Sequence, residues 1–422
     1  MADILDYHLQ RHLRTLIRKA GDDVFKQLKN VLFCGQTISP TVGAVFLLAD
    51  GQGHSKYHGH THCQNPWCCP VCSAIVMEKY REKIALAIEV LHKNYFGFMV
   101  TFTIPHFRFM SWRETMDILY ETHDYFRLKS FNKKSGHSYH EFNKLYPVEH
   151  SVKVCEFTWS RRNGAHPHFH AIWWIPRDKF NNDEILRWEE ELGDFWVKTA
   201  KRKMIAYWKK HNLHYDILRE GETLEDLADR VFLGVGMSKV TESQSALYIS
   251  KHDGKITEVV SSDYIAGWGS DSELTGNYRR EATCKSSMTP YQILQASEHD
   301  PKMAEEYMKF CLAVTQKPVH HRVRFSNSGI TKMVNDYRKT LTEVKTERLE
   351  KKSTWEVVTY FDEDEWFLLC DLDDEYAPVL ANILWFAAHR RDLLADYLQS
   401  LGLTIHEHKH RRQREVEQEF CA

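Results

Sequence analysis

The 422-residue chain contains no run of 18 or more apolar residues, the length a membrane-spanning helix requires, so no membrane association is expected. Residues Met1 to Leu5 lack a basic segment followed by an apolar core, so no secretory signal is read and the expected location is the cytoplasm. Net charge is only −2, which excludes bulk electrostatic attraction to nucleic acid; any such contact must rest on local patches. Ten cysteines are too few for a disulfide scaffold. No internal repeat is found. With 43% apolar and 27% charged residues, the chain is globular and long enough for two or three domains.

What the chain does have is a concentration of histidine in Gly164-Ala-His166-Pro-His168-Phe-His170-Ala-Ile-Trp-Trp174. On a strand, residues i and i+2 share a face, so His168 and His170 point the same way, as two ligands of one divalent metal must. Val152 to Trp159 reads as the preceding strand, with Ser160-Arg161-Arg162-Asn163-Gly164 as the turn between the two. In that hairpin Glu156 falls opposite the His168–His170 pair and is the candidate third ligand. His166 shares their parity and is an accessory candidate. Arg161 and Arg162 on the turn are candidate DNA contacts.

Residues 54–72 carry four histidines and four cysteines. Cys69-Pro-Val-Cys72 is a C-x-x-C pair, and Cys63 lies six residues upstream of Cys69. Thiolates at this spacing can close on a tetrahedral ion. Structural Zn²⁺ is therefore expected on Cys63, Cys69 and Cys72, with the fourth ligand open among Cys68, His62, His60 and a residue further off.

Elsewhere the apolar periodicity predicts helix over 1–35, 73–93, 112–128, 178–215, 291–313, 331–351 and 376–401. Tyr95 to Ile104 is an apolar, β-branched central strand, and Pro105-His106 places a histidine at its exit. Residues 318–326 suggest an edge strand, and 354–369 a short strand and helix. The densest basic stretch, Lys198, Lys201, Arg202, Lys203, Lys209 and Lys210, is interleaved with aromatics; it fits a single-stranded nucleic acid or an ordinary solvated helix face equally well. In Ala246-Leu-Tyr248-Ile-Ser-Lys251, Tyr248 and Lys251 share a helical face. The polar tail 406–414 is expected to be disordered and not a specific site, with phosphate affinity as its candidate contribution.

Two imidazoles and a carboxylate can hold a cation that polarises a phosphoryl oxygen. A tyrosine with a pKa of about 10 then needs help to become a nucleophile, and Lys251 is placed to give it. At this point the chain resembles the replication initiators of rolling-circle plasmids, within the HUH endonuclease superfamily. Six blocks in order carry the resemblance: Cys63-x5-Cys69-Pro-Val-Cys72; Val100-Thr-Phe-Thr-Ile-Pro-His106; Glu156-Phe-Thr158 with Asn163-Gly-Ala-His166-Pro-His168-Phe-His170; Ala246-Leu-Tyr248-Ile-Ser-Lys251; Glu273-Leu-Thr-Gly276; and Thr289-Pro-Tyr-Gln-Ile-Leu294. It runs from about residue 54 to 330.

The resemblance implies an α+β fold, a central antiparallel sheet of about five strands with packed helices of the ferredoxin or RRM-like kind. A Cys-rich zinc module precedes the sheet and a helical region follows it. Expected domains are 1–94, 95–295 and 296–422. It implies Tyr248 as nucleophile with Lys251, and Mn²⁺ or Mg²⁺ on His168, His170 and Glu156. His106, His166 and Glu242 are accessory candidates. The implied partner is origin DNA, single-stranded or extruded as a hairpin, with a host helicase and polymerase downstream. Related initiators often carry a glutamate one turn before the tyrosine; here that place holds Gln244, which leaves the terminating base unassigned. Two other readings compete: an HUH transposase or relaxase of the same chemistry, and a non-enzymatic zinc-containing DNA-binding protein.

Overall fold

The structure is a computed structural model that describes residues 4–127, 147–179, 182–234, 287–315, 323–325, 328–345 and 355–406. The fold is α+β, with twelve α-helices and two antiparallel sheets among the described residues. None of those helices is long and apolar enough to cross a membrane. The strands are β1 (Val45–Ala49), β2 (Ser55–His58), β3 (Tyr95–Thr103), β4 (His150–Ser160), β5 (Gly164–Pro176), β6 (Ser287–Met288), β7 (Val323–Phe325) and β8 (Glu356–Phe361).

The chain divides into two compact units that interleave in sequence: residues 1–78, 294–317 and 345–422 form one, and residues 79–293 and 318–344 the other. In the first unit β1 is the middle of a three-stranded sheet, paired with β2 on one side and β8 on the other. All five residues of β1 are buried, so the strand has no polar face and reads as a plain apolar run. Phe46 and Leu48 pack with Trp355, Val357 and Tyr360. The N-terminal segment is two helices, Ile4–Lys19 and Asp22–Leu32, separated at Gly21 with φ +92°. Helix Ile4–Lys19 is tied to helix Glu363–Glu375 by buried Arg14, which donates to Asp373 and Asp374 at 2.6 Å each. The predicted 376–401 helix is also two helices, Val379–His389 and Arg391–Ser400, broken at the non-helical Arg390.

The second unit is built on a five-stranded antiparallel sheet in the order β3-β5-β4-β6, with β7 pairing to β4. The β4–β5 hairpin is its centre. Strand period sorts the residues onto two faces. Phe102, Phe157 and Phe169 take one face, where rings from helices Trp112–Arg127 and Asn182–His211 cover them: Trp112 on Phe157, Tyr120 on Phe169 and Trp196 on Phe102. Lys153 is buried on that face too, with Nζ 3.9 Å above the Phe169 ring and 3.2 Å from His123 Nδ1. Thr101, Thr103, Glu156, Thr158, His166, His168 and His170 take the other face.

Candidate functional site

The hairpin register sets the site. Glu156 pairs directly with His168, and Val154 with His170. On the far side of β5, Thr101 pairs with His170 and Thr103 with His168. The return strand begins at Gly164, four residues before His168, because Ser160 pairs with Gly164 across a three-residue loop. Gly164 has φ +76°, the left-handed conformation such loops require. A Cβ there would also sit 3.0 Å from Arg108 Cα and 3.1 Å from Phe107 O. Only glycine meets both conditions.

Glu156 Oε2 lies 3.2 Å from His168 Nε2 and 3.4 Å from His170 Nε2, so the three residues can hold a metal ion. Ligands about 2.1 Å from one divalent ion at octahedral angles are about 3.0 Å apart, and slightly further at tetrahedral angles. The donors fit that spacing. Burial opposes ionisation of Glu156, but the charge of His170 and hydrogen bonds from His168 and His170 outweigh it and hold the carboxyl well below its usual range. The carboxylate needed by a cation is therefore the favoured form. Thr101 Oγ1 is 2.8 Å from His170 Nδ1.

His166 does not join this group. Its Nε2 is 2.8 Å from Thr103 Oγ1 and its Nδ1 is 3.5 Å from Thr158 Oγ1. The His106 ring stacks on it in parallel, with centroids 4.1 Å apart and 7° between planes. Burial, then the neighbouring imidazoles His106, His168 and His170, push the His166 pKa far down. Burial likewise lowers His106, to about 4. Both shifts favour the neutral ring.

Arg161 and Arg162 are exposed on the turn. Three of the six cations on the basic helix face are paired with carboxylates within the unit. Lys201 pairs with Asp229, Lys209 with Glu225 at 2.5 Å and Lys203 with Glu121 at 3.8 Å, while Arg202 lies 4.2 Å over the Tyr125 ring. Tyr248, Lys251 and Glu242 lie outside the described residues, as does Glu273 to Gly276.

The first unit contains a second metal-capable group: the sulfurs of Cys34, Cys63, Cys69 and Cys72. Cys34–Cys72 is 3.4 Å, Cys63–Cys72 3.5 Å and Cys34–Cys69 3.6 Å. Disulfide sulfurs would be about 2.05 Å apart; sulfurs about 2.3 Å from one tetrahedral ion are about 3.8 Å apart. Backbone N–H groups of Cys63, Asn65 and Cys72 point at the sulfurs of Cys34, Cys63 and Cys69. Hydrogen bonds from Cys63, Cys69 and Cys72 hold the Cys34 thiol far below its usual pKa. At Cys72 the contact with Cys34 acts upward, but hydrogen bonds from Cys63 and Cys69 prevail and bring it to about 6. His62 is raised to about 9, because its hydrogen bonds to Cys34 and Cys72 overcome burial.

Cys34 was not singled out in the sequence. It stands 29 residues before Cys63 with no spacing motif, and its one signal is the following Gly35. It arrives through backbone pairing: Gly35 N donates to Thr61 O, Thr61 N to Thr37 O, and Ile38 bridges His60. Of the nearer candidates, His62 is hydrogen-bonded to Cys34 and Cys72 beside the cluster, and the other two are engaged elsewhere. Cys68 Sγ is directed at Cys311 O, and His60 Nε2 lies 3.4 Å from Tyr7 OH.

No family model matches the chain, and no solved structure matches it. A protein from Streptomyces lividans described as "Protein rep" is 27% identical over 148 residues, which is 30% of this chain and 32% of that protein. The match thus spans about a third of the relative's length, and over that third the chain is similar to a Rep protein.

Proposed function

We propose that this protein is a rolling-circle replication initiator of the HUH type. It nicks one DNA strand at an origin and keeps the 5′ end as a phosphotyrosine. The observation that carries this reading is the convergence of Glu156, His168 and His170 on neighbouring strands at metal-ligand spacing. The partial similarity to a Rep protein supports the biological setting. A divalent ion, Mn²⁺ or Mg²⁺, bound by these three side chains would polarise a phosphoryl oxygen.

The chain's own residues do the rest. Tyr248 Oη attacks the scissile phosphorus, forming the O–P bond as the bond to the 3′ oxygen breaks. The proton lost by the phenol is balanced by the one the 3′ oxygen gains. Lys251 stabilises the phenolate or the phosphate charge. One phosphodiester replaces another, so the link retains the energy for rejoining, and the free 3′-hydroxyl is a primer for a host polymerase. In the same reading Cys34, Cys63, Cys69 and Cys72 hold a structural Zn²⁺.

The test is incubation with Mn²⁺ and single-stranded oligonucleotides tiled across the DNA flanking the gene, followed by a denaturing gel. A covalent adduct is expected, absent in Tyr248→Phe and in His168→Ala. Metal-dependent binding with no adduct on any oligonucleotide refutes the nuclease reading.

A further inference from the structure

The loop 105–111 leaves β3 beside the metal-capable trio and carries Phe107, Arg108 and Phe109. We propose that Phe107 and Phe109 form a stacking platform for bases of single-stranded DNA, flanked by arginines that hold the phosphates. The proposal rests on the nuclease reading for its place beside a scissile phosphate.

Four observations converge on it. The two rings lie nearly parallel, 18° apart with centroids at 5.5 Å. Phe109 is 39% exposed, although burial of an aromatic ring is among the larger gains available to a fold. The ring is also held in place rather than left loose. His214 packs edge-on against Phe109 at 4.7 Å, and its Nε2 is 2.6 Å from Oε1 of buried Glu114, which also accepts from Trp208 Nε1 at 2.6 Å. Below the loop, Met110 and Trp112 are buried anchors, Met110 N donates to Phe107 O, and Ser111 and Glu114 form a reciprocal cap on the next helix.

The position ties the platform to the chemistry. Phe107 follows His106, which stacks on His166, whose ring centre is 5.2 Å from that of His168. The loop backbone abuts Gly164, at the start of the strand that bears the histidines.

Charge then selects the ligand. Arg108, which separates the two phenylalanines in sequence, is exposed, and Arg161 and Arg162 are exposed on the adjoining turn. In a chain of net charge −2, these local cations decide what is attracted. Parallel aromatics with interleaved arginine suit a ligand that has open π-faces and regularly spaced phosphates. A duplex hides its base faces; a single strand offers them.

The full-length protein in EDTA is titrated against fluorescein-labelled (dT)16 and against a 16-mer of base-less spacer with the same phosphates. Wild type should bind (dT)16 about 5- to 10-fold more tightly, at the lower end of the stacking range for one base. Phe109→Ala should reduce that preference to within about twofold, and Phe109→Tyr should restore it. Arg108→Ala should weaken both strands equally and lower the salt dependence. The proposal is overturned if wild type does not distinguish the two strands, or if Phe109→Ala keeps the wild-type preference. A Phe109-dependent preference in a protein that never forms the Tyr248 adduct would sink the nuclease reading and leave the platform standing. An adduct-forming protein with no base preference would do the reverse.

Discussion

Replacing Thr101 with valine should weaken divalent-metal binding by about 10- to 100-fold without unfolding the protein. Thr101 sits in register with His170 across β3 and β5, and its Oγ1 is 2.8 Å from His170 Nδ1. With Nδ1–H donating to that hydroxyl, Nε2 carries the lone pair that a metal needs, on the side facing Glu156 Oε2 at 3.4 Å. Valine keeps the shape and the strand preference of threonine but removes the acceptor. A hydrogen bond is worth about 0.5–1.5 kcal/mol net, and about 1.5–3 kcal/mol when one partner is charged. A metal-bound imidazole is strongly polarised, which favours the upper range; about 1.4–2.7 kcal/mol corresponds to the 10- to 100-fold loss. Isothermal titration with Mn²⁺ measures it, a thermal melt checks the fold, and Thr101→Ser should recover most of the affinity. If Thr101→Val binds Mn²⁺ within about twofold of wild type, the hydroxyl does not orient the ligand and the reasoning fails.

Elemental analysis should find zinc in the wild-type protein, and Cys34→Ala should lose it while Cys68→Ala retains it. Loss of roughly 3 kcal/mol or more of metal-linked stability would lower the melting temperature of that unit by about 6–12 °C; full zinc content in Cys34→Ala would exclude Cys34 as a ligand. The His106 pKa falls from 6.5 to about 4 on folding, chiefly by burial. The unfolded chain therefore binds the extra proton first, and stability is complete above pH 6.5 and lost as pH falls toward 4. Between pH 7.5 and 5 the loss from His106 alone is about 2 kcal/mol. Denaturant titrations of wild type and His106→Phe at the two pH values should differ by that amount; parallel losses would show that His106 does not carry the effect.

The second unit was more legible in sequence than the first, for physical reasons. Its signals are local: Asn163-Gly164 fixes a tight turn, and strand period then determines which residues of β4 and β5 share a face. That is enough to put Glu156 beside His168 and His170. The turn is shorter than the Ser160–Gly164 read from the sequence, because Ser160 and Gly164 pair with each other and the loop needs only three residues. In the first unit the decisive pairings are distant. Val45 to Ala49 shows no alternation because both faces are covered, so β1 carries no strand signature, and its partner β8 is some 300 residues away. Cys34 reaches the other sulfurs because residues 35–39 pair with 59–61, which spacing rules cannot see. The breaks at Gly21 and Arg390 interrupt apolar periodicities that continue across them.

Three histidines with one parity are equivalent along β5; the strands on either side make them different. His168 faces Glu156, a carboxylate that burial alone would neutralise and that the two imidazoles hold ionised. His170 has Thr101 behind it and the same carboxylate oxygen in front. His166 faces Thr158 and reaches Thr103, so hydroxyl oxygens meet both of its nitrogens where His168 and His170 meet a carboxylate. Its stacking on His106 occupies a ring face as well. The neighbouring strand therefore sorts the cluster into two imidazoles suited to a metal and one that braces the loop leading to Phe107. The alternation Thr101-Phe102-Thr103 acts in both halves of this arrangement: the hydroxyls serve the imidazole face while Phe102 fills the core beneath Trp196. A single strand of β-branched and aromatic residues thus fixes the ligand geometry and anchors the sheet that supports it, which is why a change as small as one hydroxyl at Thr101 is a discriminating test of the site.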